Sequence, residues 1–142
     1  MSELPGDGLE RRLLVLAPVG KDAPLVEAML RKDAVTCCAC HDVERLAQEL
    51  ERGAAAILVA EEALPHDGRL TELIQRQPQW SDLPVLVLTR PGADSAAVAR
   101  ALRTLGNVTL LERPVRVTAL ASAVHSALRA RERQYQTRAH LQ

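Results

Sequence analysis

The chain has 142 residues, 47% hydrophobic and 25% charged, with 18 Lys and Arg against 18 Asp and Glu. That length fits one domain. Balanced charge, one Trp, one Tyr and no Phe leave neither the basic footprint nor the stacking rings of a nucleic-acid binder.

The core must therefore be aliphatic, which suits strands covered by Leu- and Ala-rich helices. No apolar run approaches the ~20 residues of a membrane span. Residues 1–10 lack the basic start and apolar middle of a secretory signal. The expectation is a cytoplasmic protein with a flexible leader over residues 1–11.

Leu13-Leu14-Val15-Leu16 is the first strand candidate, ended by Pro18 and Gly20. A helix follows over residues 21–31, with Leu25, Val26, Met29 and Leu30 as its apolar stripe. Residues 35–40 form the second strand candidate. Asp42 then opens a helix as its N-cap. Val43, Leu46, Ala47 and Leu50 lie on its inward face, and Gly53 closes it.

Residues 54–60 make a continuous apolar run, the mark of a strand buried on both faces. A loop over residues 61–68 leads to a helix carrying Leu70, Leu73 and Ile74, stopped at Gln77-Pro78. Pro84 introduces a fourth strand, Val85-Leu86-Val87-Leu88-Thr89. A helix over residues 93–105 places Val98, Ala101, Leu102 and Leu105 inward. Residues 108–111 form the fifth strand, broken by Pro114. The last helix starts near Val117 and could run to the C-terminus.

Strands alternating with helices of this length imply right-handed crossovers and a parallel sheet covered on both faces. The expected fold is a flavodoxin-like, doubly wound (βα)5 sandwich with strand order 2-1-3-4-5. In such sheets, chemistry gathers at the carboxyl ends of the strands. The residues there are Ala17-Pro18, Glu61-Glu62, Thr89-Arg90 and Glu112-Arg113-Pro114.

From about Arg12 to Arg129 the chain resembles the receiver domains of two-component response regulators. Their pattern is an acidic pair after strand 1, a phosphoacceptor Asp after strand 3 with a Pro four residues on, a Thr or Ser after strand 4, and Lys-Pro after strand 5. In Glu61-Glu62-Ala63-Leu64-Pro65 the Pro65 spacing puts Glu61 at the acceptor position. Thr89 takes the hydroxyl position, Arg113 replaces the Lys before Pro114, and Leu110 stands at the aromatic switch position. Ala17 and Pro18 stand where the acidic pair belongs.

The departures bear directly on chemistry. Mg²⁺ wants oxygen ligands, and Ala17 and Pro18 offer no carboxylate. Asp22, four residues past Pro18, is poorly placed to substitute. Without a cation, an incoming phosphoryl group meets Glu61 as anion against anion. The extra methylene of Glu shifts the nucleophilic oxygen by roughly 1 Å, a misplacement worth ~10²-fold in rate. Leu110 has neither ring nor hydroxyl to report on Thr89. Glu61 and Arg113 are read either as an ion pair standing in for the phosphorylated state, the planar fork of Arg suiting a carboxylate, or as two solvated side chains on the loop rim.

The stretches Gln77 to Pro84, Leu105 to Pro114 and Leu128 to Gln136 look like the degenerate receiver at the N-terminus of some bacterial hybrid sensor histidine kinases. In those proteins the last helix continues as a linker. Here Val117, Leu120, Ala121, Val124, Ala127 and Leu128 make an apolar face, setting a domain over residues 12–128. Residues 129–142 are read either as a signalling helix that pairs with its copy or as a solvated tail.

Cys37-Cys38-Ala39-Cys40-His41 contains C-x-x-C-H, on paper a haem attachment motif. Its place within a strand sends alternate side chains to opposite faces, so haem and zinc are both disfavoured and buried free thiols are expected. There is no P-loop, G-x-S-x-G or G-x-G-x-x-G.

The resulting expectation is a non-phosphorylatable, non-enzymatic signalling domain without cofactor or metal. Its partner would be a kinase module or a second copy, in a homodimer through the fourth helix, fifth strand and fifth helix or through the C-terminal helix. Val98, Leu102, Leu105, Leu120, Val124 and Leu128 are the expected interaction face. A phosphoaccepting receiver using Glu61, and a small-molecule or flavin-binding flavodoxin-like domain, are the alternatives.

Overall fold

A computed structural model describes residues 11–16, 22–32, 35–64, 69–76, 82–90, 96–105 and 107–141. Strands β1 (Leu13–Leu16), β2 (Cys37–Cys40), β3 (Ala56–Ala60), β4 (Val85–Thr89) and β5 (Val108–Glu112) form one parallel sheet in the order β2-β1-β3-β4-β5. The helices between and after them are α1 (Asp22–Arg31), α2 (Val43–Arg52), α3 (Arg69–Gln75), α4 (Ala96–Thr104) and α5 (Val117–Leu141). A short 3₁₀ turn, Glu61–Ala63, follows β3. This is the flavodoxin-like (βα)5 arrangement expected from the order of elements.

Strands β1, β3 and β4 are buried along their whole length. Their alternation sorts the core into two halves. Leu14, Leu16, Ile57, Val59, Val85 and Val87 face Leu46 and Leu50 of α2, Leu70 and Leu73 of α3, and Ala101 and Leu105 at α4. Leu13, Val15, Leu58, Leu86 and Leu88 face Val26 and Leu30 of α1 and Leu120, Val124 and Ala127 of α5. Register holds the two halves together, with Leu14 beside Ile57 and Leu58 beside Leu86.

Helix α2 has both expected ends. The Asp42 carboxylate accepts from the Arg45 backbone N–H at 2.8 Å. Gly53, at φ 125°, donates its N–H to the Glu49 and Leu50 carbonyls, in a region of backbone space that favours glycine.

Two residues expected inward are outside. Leu25 is 55% and Leu102 51% exposed. On α1 the buried pair is Val26 and Leu30, and Leu25 sits one residue, about 100°, around the helix from it. On α4 the buried stripe is Val98, Ala101 and Leu105, and Leu102 falls at its outer margin.

Boundaries move little. β2 starts at Cys37 and β3 at Ala56, each two residues later than expected, and β5 runs on to Glu112. Helix α5 runs the length that the sequence allowed. It continues unbroken past residue 128, and its buried positions Leu120, Val124, Ala127 and Arg131 keep one helical stripe going.

The three cysteines are free, but of the thiols expected to be buried only Cys40 is, and Cys37 and Cys38 are half-buried. Cys38 and Cys40 pack on the α2 side of the sheet and Cys37 on the α1 side. Burial pushes the Cys37 thiol up to about 11, with help from the negative charge of Glu27. Burial likewise pushes Cys40 up to about 12, with Cys38 adding to it.

Just before β1, Arg12 forms a buried staple. Its Nη1 donates to Glu49 Oε1 at 2.9 Å, its Nη2 to the Glu49 carbonyl at 2.7 Å and its Nε to the Gly53 carbonyl at 2.9 Å. Arg45 and Arg52 also pair with Glu49. The hydrogen-bonded Arg12 guanidinium, with charge from Arg45 and Arg52, holds the Glu49 carboxyl below its ordinary value despite burial.

Three outcomes are expected. Arg12→Ala, which removes the buried partner of Glu49 and leaves its carboxylate to the exposed Arg45 and Arg52, lowers stability by about 1.5–3 kcal/mol in urea unfolding. Because the folded pKa of Glu49 is depressed, its contribution is complete above the ordinary value of 4.5 and is lost as pH falls from there through the folded value. Glu49→Gln should flatten that part of the stability–pH curve. Native Cys37 and Cys40 should resist iodoacetamide at pH 8, where under about 1% of either is thiolate, and react only on unfolding. Peptide mass mapping reads this, and rapid native labelling of either would contradict the burial.

Candidate functional site

The carboxyl ends of β3, β4 and β5 bring four charged side chains together. At the end of β3 the chain tightens into the 3₁₀ turn, closed by the Leu64 N–H donating to the Glu61 carbonyl at 3.2 Å. The turn sends Glu61 inward, 4% exposed, and leaves Glu62 half-exposed.

Glu61 is fully engaged by the residue after β4. Its Oε1 accepts from the Arg90 backbone N–H at 2.9 Å. Its Oε2 lies 3.5 Å from Arg90 Nε. A buried carboxylate needs such partners to offset its desolvation. Arg90 Nε also lies 3.9 Å from Glu62 Oε1.

Arg113 is tied to the end of β4. Its backbone N–H and its Nε both donate to the Thr89 carbonyl, at 2.9 and 3.2 Å. Its Nη2 then pairs with Glu62. The Arg113 hydrogen bond, aided by the charge of Arg90, holds the Glu62 carboxyl below its ordinary value against the opposing effect of burial.

The expected Glu61–Arg113 pair is therefore replaced. Among the described residues, Glu61 pairs with Arg90 and Arg113 with Glu62. The inward turn of Glu61 commits its carboxylate to the end of β4. The guanidinium of Arg113, anchored on the Thr89 carbonyl, meets the outer carboxylate instead.

Thr89 is buried at the end of β4. Leu110, the switch position, is 41% exposed on the edge strand β5. Ala17, Pro18 and Pro65 lie outside the described residues.

The expected interaction face needs the firmest correction. Val98, Leu105, Leu120 and Val124 are buried in the domain itself, because they form the helical stripes that cover the sheet. Leu128 is half-buried, and Leu102 alone of the six is exposed.

A divalent cation does not fit this donor set. Mg²⁺ needs available carboxylate oxygens. Glu61 and Glu62 are engaged by two guanidiniums, and positions 17 and 18 bring no carboxylate. No group of three or more His, Cys, Asp or Glu among the described residues is arranged for a metal ion.

Sequence reasoning placed Glu62 and Arg90 at this edge beside Glu61 and Thr89 but did not assign them as the partners of Arg113 and Glu61. Each is the next residue along the chain from a named position. The available signal was that both flank a strand's carboxyl end, where adjacent side chains diverge and opposite charges from neighbouring strands converge.

A scan against protein-family models gives no match, and a search of curated proteins gives none. Solved structures do match. NtrX from Brucella abortus aligns with a TM-score of 0.71 at 20% identity, over 89% of this chain and 28% of that one. Full-length FixJ from B. japonicum aligns at 0.71 and 21% identity, over 92% of this chain and 63% of that one. The receiver domain of a sensor histidine kinase from Pseudomonas aeruginosa, solved with a magnesium ion in its active-site cleft, aligns at 0.69 and 22% identity, over 83% and 97%. This chain spans under a third of the first protein and under two thirds of the second. At these identities the likeness establishes a fold shared with receiver domains.

The ion network predicts a carboxylate titration. In ¹³C-detected NMR, Glu62 should titrate below 4.5, its ordinary value, and Arg113→Gln should move it upward. A Glu62 that titrates at 4.5 or higher in the unmodified chain would remove the pair.

Proposed function

We propose that this chain is a receiver-like signalling domain of a two-component system that does not accept a phosphoryl group and acts by binding a protein partner. The observation that carries this reading is the state of Glu61. In-line transfer requires a carboxylate oxygen presented to the phosphodonor, with cations placed on the transferring group. Glu61 is buried and both its oxygens face Arg90. The neighbouring Glu62 is paired with Arg113, which stands at the Lys position of the receiver pattern. The four charges cancel within the network, so neither a metal nor a phosphoryl group finds unmatched charge there.

A partner surface is supported by exposed apolar side chains. Leu102 on α4, Leu110 on β5 and Val117 on α5 are 51%, 41% and 50% exposed. They are three of the four large exposed hydrophobics among the described residues, and they sit on consecutive elements. The partner is a second copy of this domain or a kinase module. A sensor histidine kinase is the proposed parent, in keeping with the source of the Pseudomonas neighbour.

Incubation with acetyl phosphate and Mg²⁺, followed by intact mass, should leave the mass unchanged. A gain of one phosphoryl mass, lost in Glu61→Gln, would establish the phosphoaccepting alternative. The reading frame beyond Gln142 should encode a kinase dimerisation helix. In sedimentation experiments with that longer protein, Leu102→Glu with Val117→Glu should weaken dimerisation at least ~10-fold, the loss of two buried apolar contacts. An unchanged dimer would exclude this surface as the dimer interface.

A further inference from the structure

We propose that the end of α5 is a latch. Arg131, Gln134 and Tyr135 clamp it to the segments that lead into β3 and β4, so that the helix leaves the domain as a rigid lever and not as a hinged linker. The inference is independent of how the ion network at the opposite edge of the sheet is read.

The buried stripe of α5 is Leu120, Val124, Ala127 and Arg131, the last 2% exposed. The intervals of four, three and four residues keep one face of the helix on the sheet. The fourth position is a guanidinium, and burying one demands partners. Its Nε donates to the Ala54 carbonyl at 3.2 Å, and its Nη1 to Gln134 Oε1 at 2.7 Å. The guanidinium carbon also stands 4.7 Å from the centre of the Tyr135 ring, within cation–π range. The Tyr135 hydroxyl donates to the same Ala54 carbonyl at 3.1 Å.

Gln134 makes a two-point contact. Its Nε2 donates to the Asp82 carbonyl at 2.7 Å, and its Oε1 accepts from the Asp82 N–H at 2.6 Å. The side-chain amide thus pairs with both backbone groups of Asp82. Asn107 Nδ2, just before β5, donates to that Asp82 carbonyl at 3.3 Å. Ala54 and Asp82 both precede their strands, so the clamp lies at the amino edge of the sheet.

Helix α5 begins four residues after Arg113, at the carboxyl edge. At ~1.5 Å per residue its course from Val117 to Arg131 is about 21 Å. One helix therefore joins the two edges of the sheet. With its far end pinned at Ala54 and Asp82, a displacement of the domain carries the helix with it.

Hydrogen exchange on the full 142-residue chain tests this. Amides of residues 129–136 should exchange within about tenfold of those of residues 120–128, as parts of one cooperative unit. Gln134→Ala removes only polar contacts of a half-exposed side chain, so the fold survives it. It should speed exchange over residues 129–136 by about tenfold or more, the worth of a lost pair of hydrogen bonds, and leave residues 120–128 within about threefold. Exchange of residues 129–136 at the rate of unstructured peptide beside a protected 120–128 segment would overturn the latch. So would a Gln134→Ala chain with unaltered protection there.

Discussion

The central strands of this sheet have no solvent side, and that constraint organises everything else. β1, β3 and β4 are aliphatic throughout and covered on both faces. Polar groups can enter only where strands begin and end. At those ends the chain presents carbonyls and charges that the interior cannot leave unpaired. Arginine meets this need repeatedly. Arg12 reaches the Glu49 and Gly53 carbonyls, Arg131 the Ala54 carbonyl, and Arg113 the Thr89 carbonyl. A planar fork of donors can hold a carbonyl and a second acceptor at once, which the point charge of lysine does less well.

The same constraint gives the two edges of the sheet different characters. At the amino edge, Arg12 and Arg131 serve cohesion by joining α2 and α5 to the starts of strands. At the carboxyl edge, Arg90 and Arg113 face two carboxylates brought there by the turn after β3. Receiver-like folds carry their chemistry at that edge. Here the space is filled by mutual neutralisation. The outer surface of α4, β5 and α5, with its exposed Leu102, Leu110 and Val117, is the partner surface proposed above.

The arginine at residue 131 also shows how a pattern read from apolar residues alone goes astray. The apolar face of α5 stops at Leu128, and a boundary drawn there is reasonable if charge means solvent. Extending the 3–4 spacing one step further lands on Arg131, with Gln134 and Tyr135 one turn beyond. Long side chains can occupy core-facing positions when their heads find acceptors. Those acceptors, Ala54 and Asp82, lie 77 and 52 residues earlier in the chain, so no local window contains them.

The sequence by itself determined the alternation of elements, the strand order and most of the core. Periodicity is local, and aliphatic runs leave few topologies that bury them. It also located Glu61, Thr89 and Arg113 at one edge, because strand ends are marked by Pro and Gly. The tertiary structure decided which charges pair. Glu61 and Glu62 are adjacent in the chain but diverge in the turn, and only the register of β3, β4 and β5 sets Arg90 against one and Arg113 against the other. It likewise decided which leucines are covered. Val98, Leu105, Leu120 and Val124 differ from Leu102 and Leu110 not in hydrophobicity but in the direction each helix or strand turns them. That direction follows helical spacing at most of these positions and is settled by packing across the sheet at the margin of the stripe, where Leu102 lies.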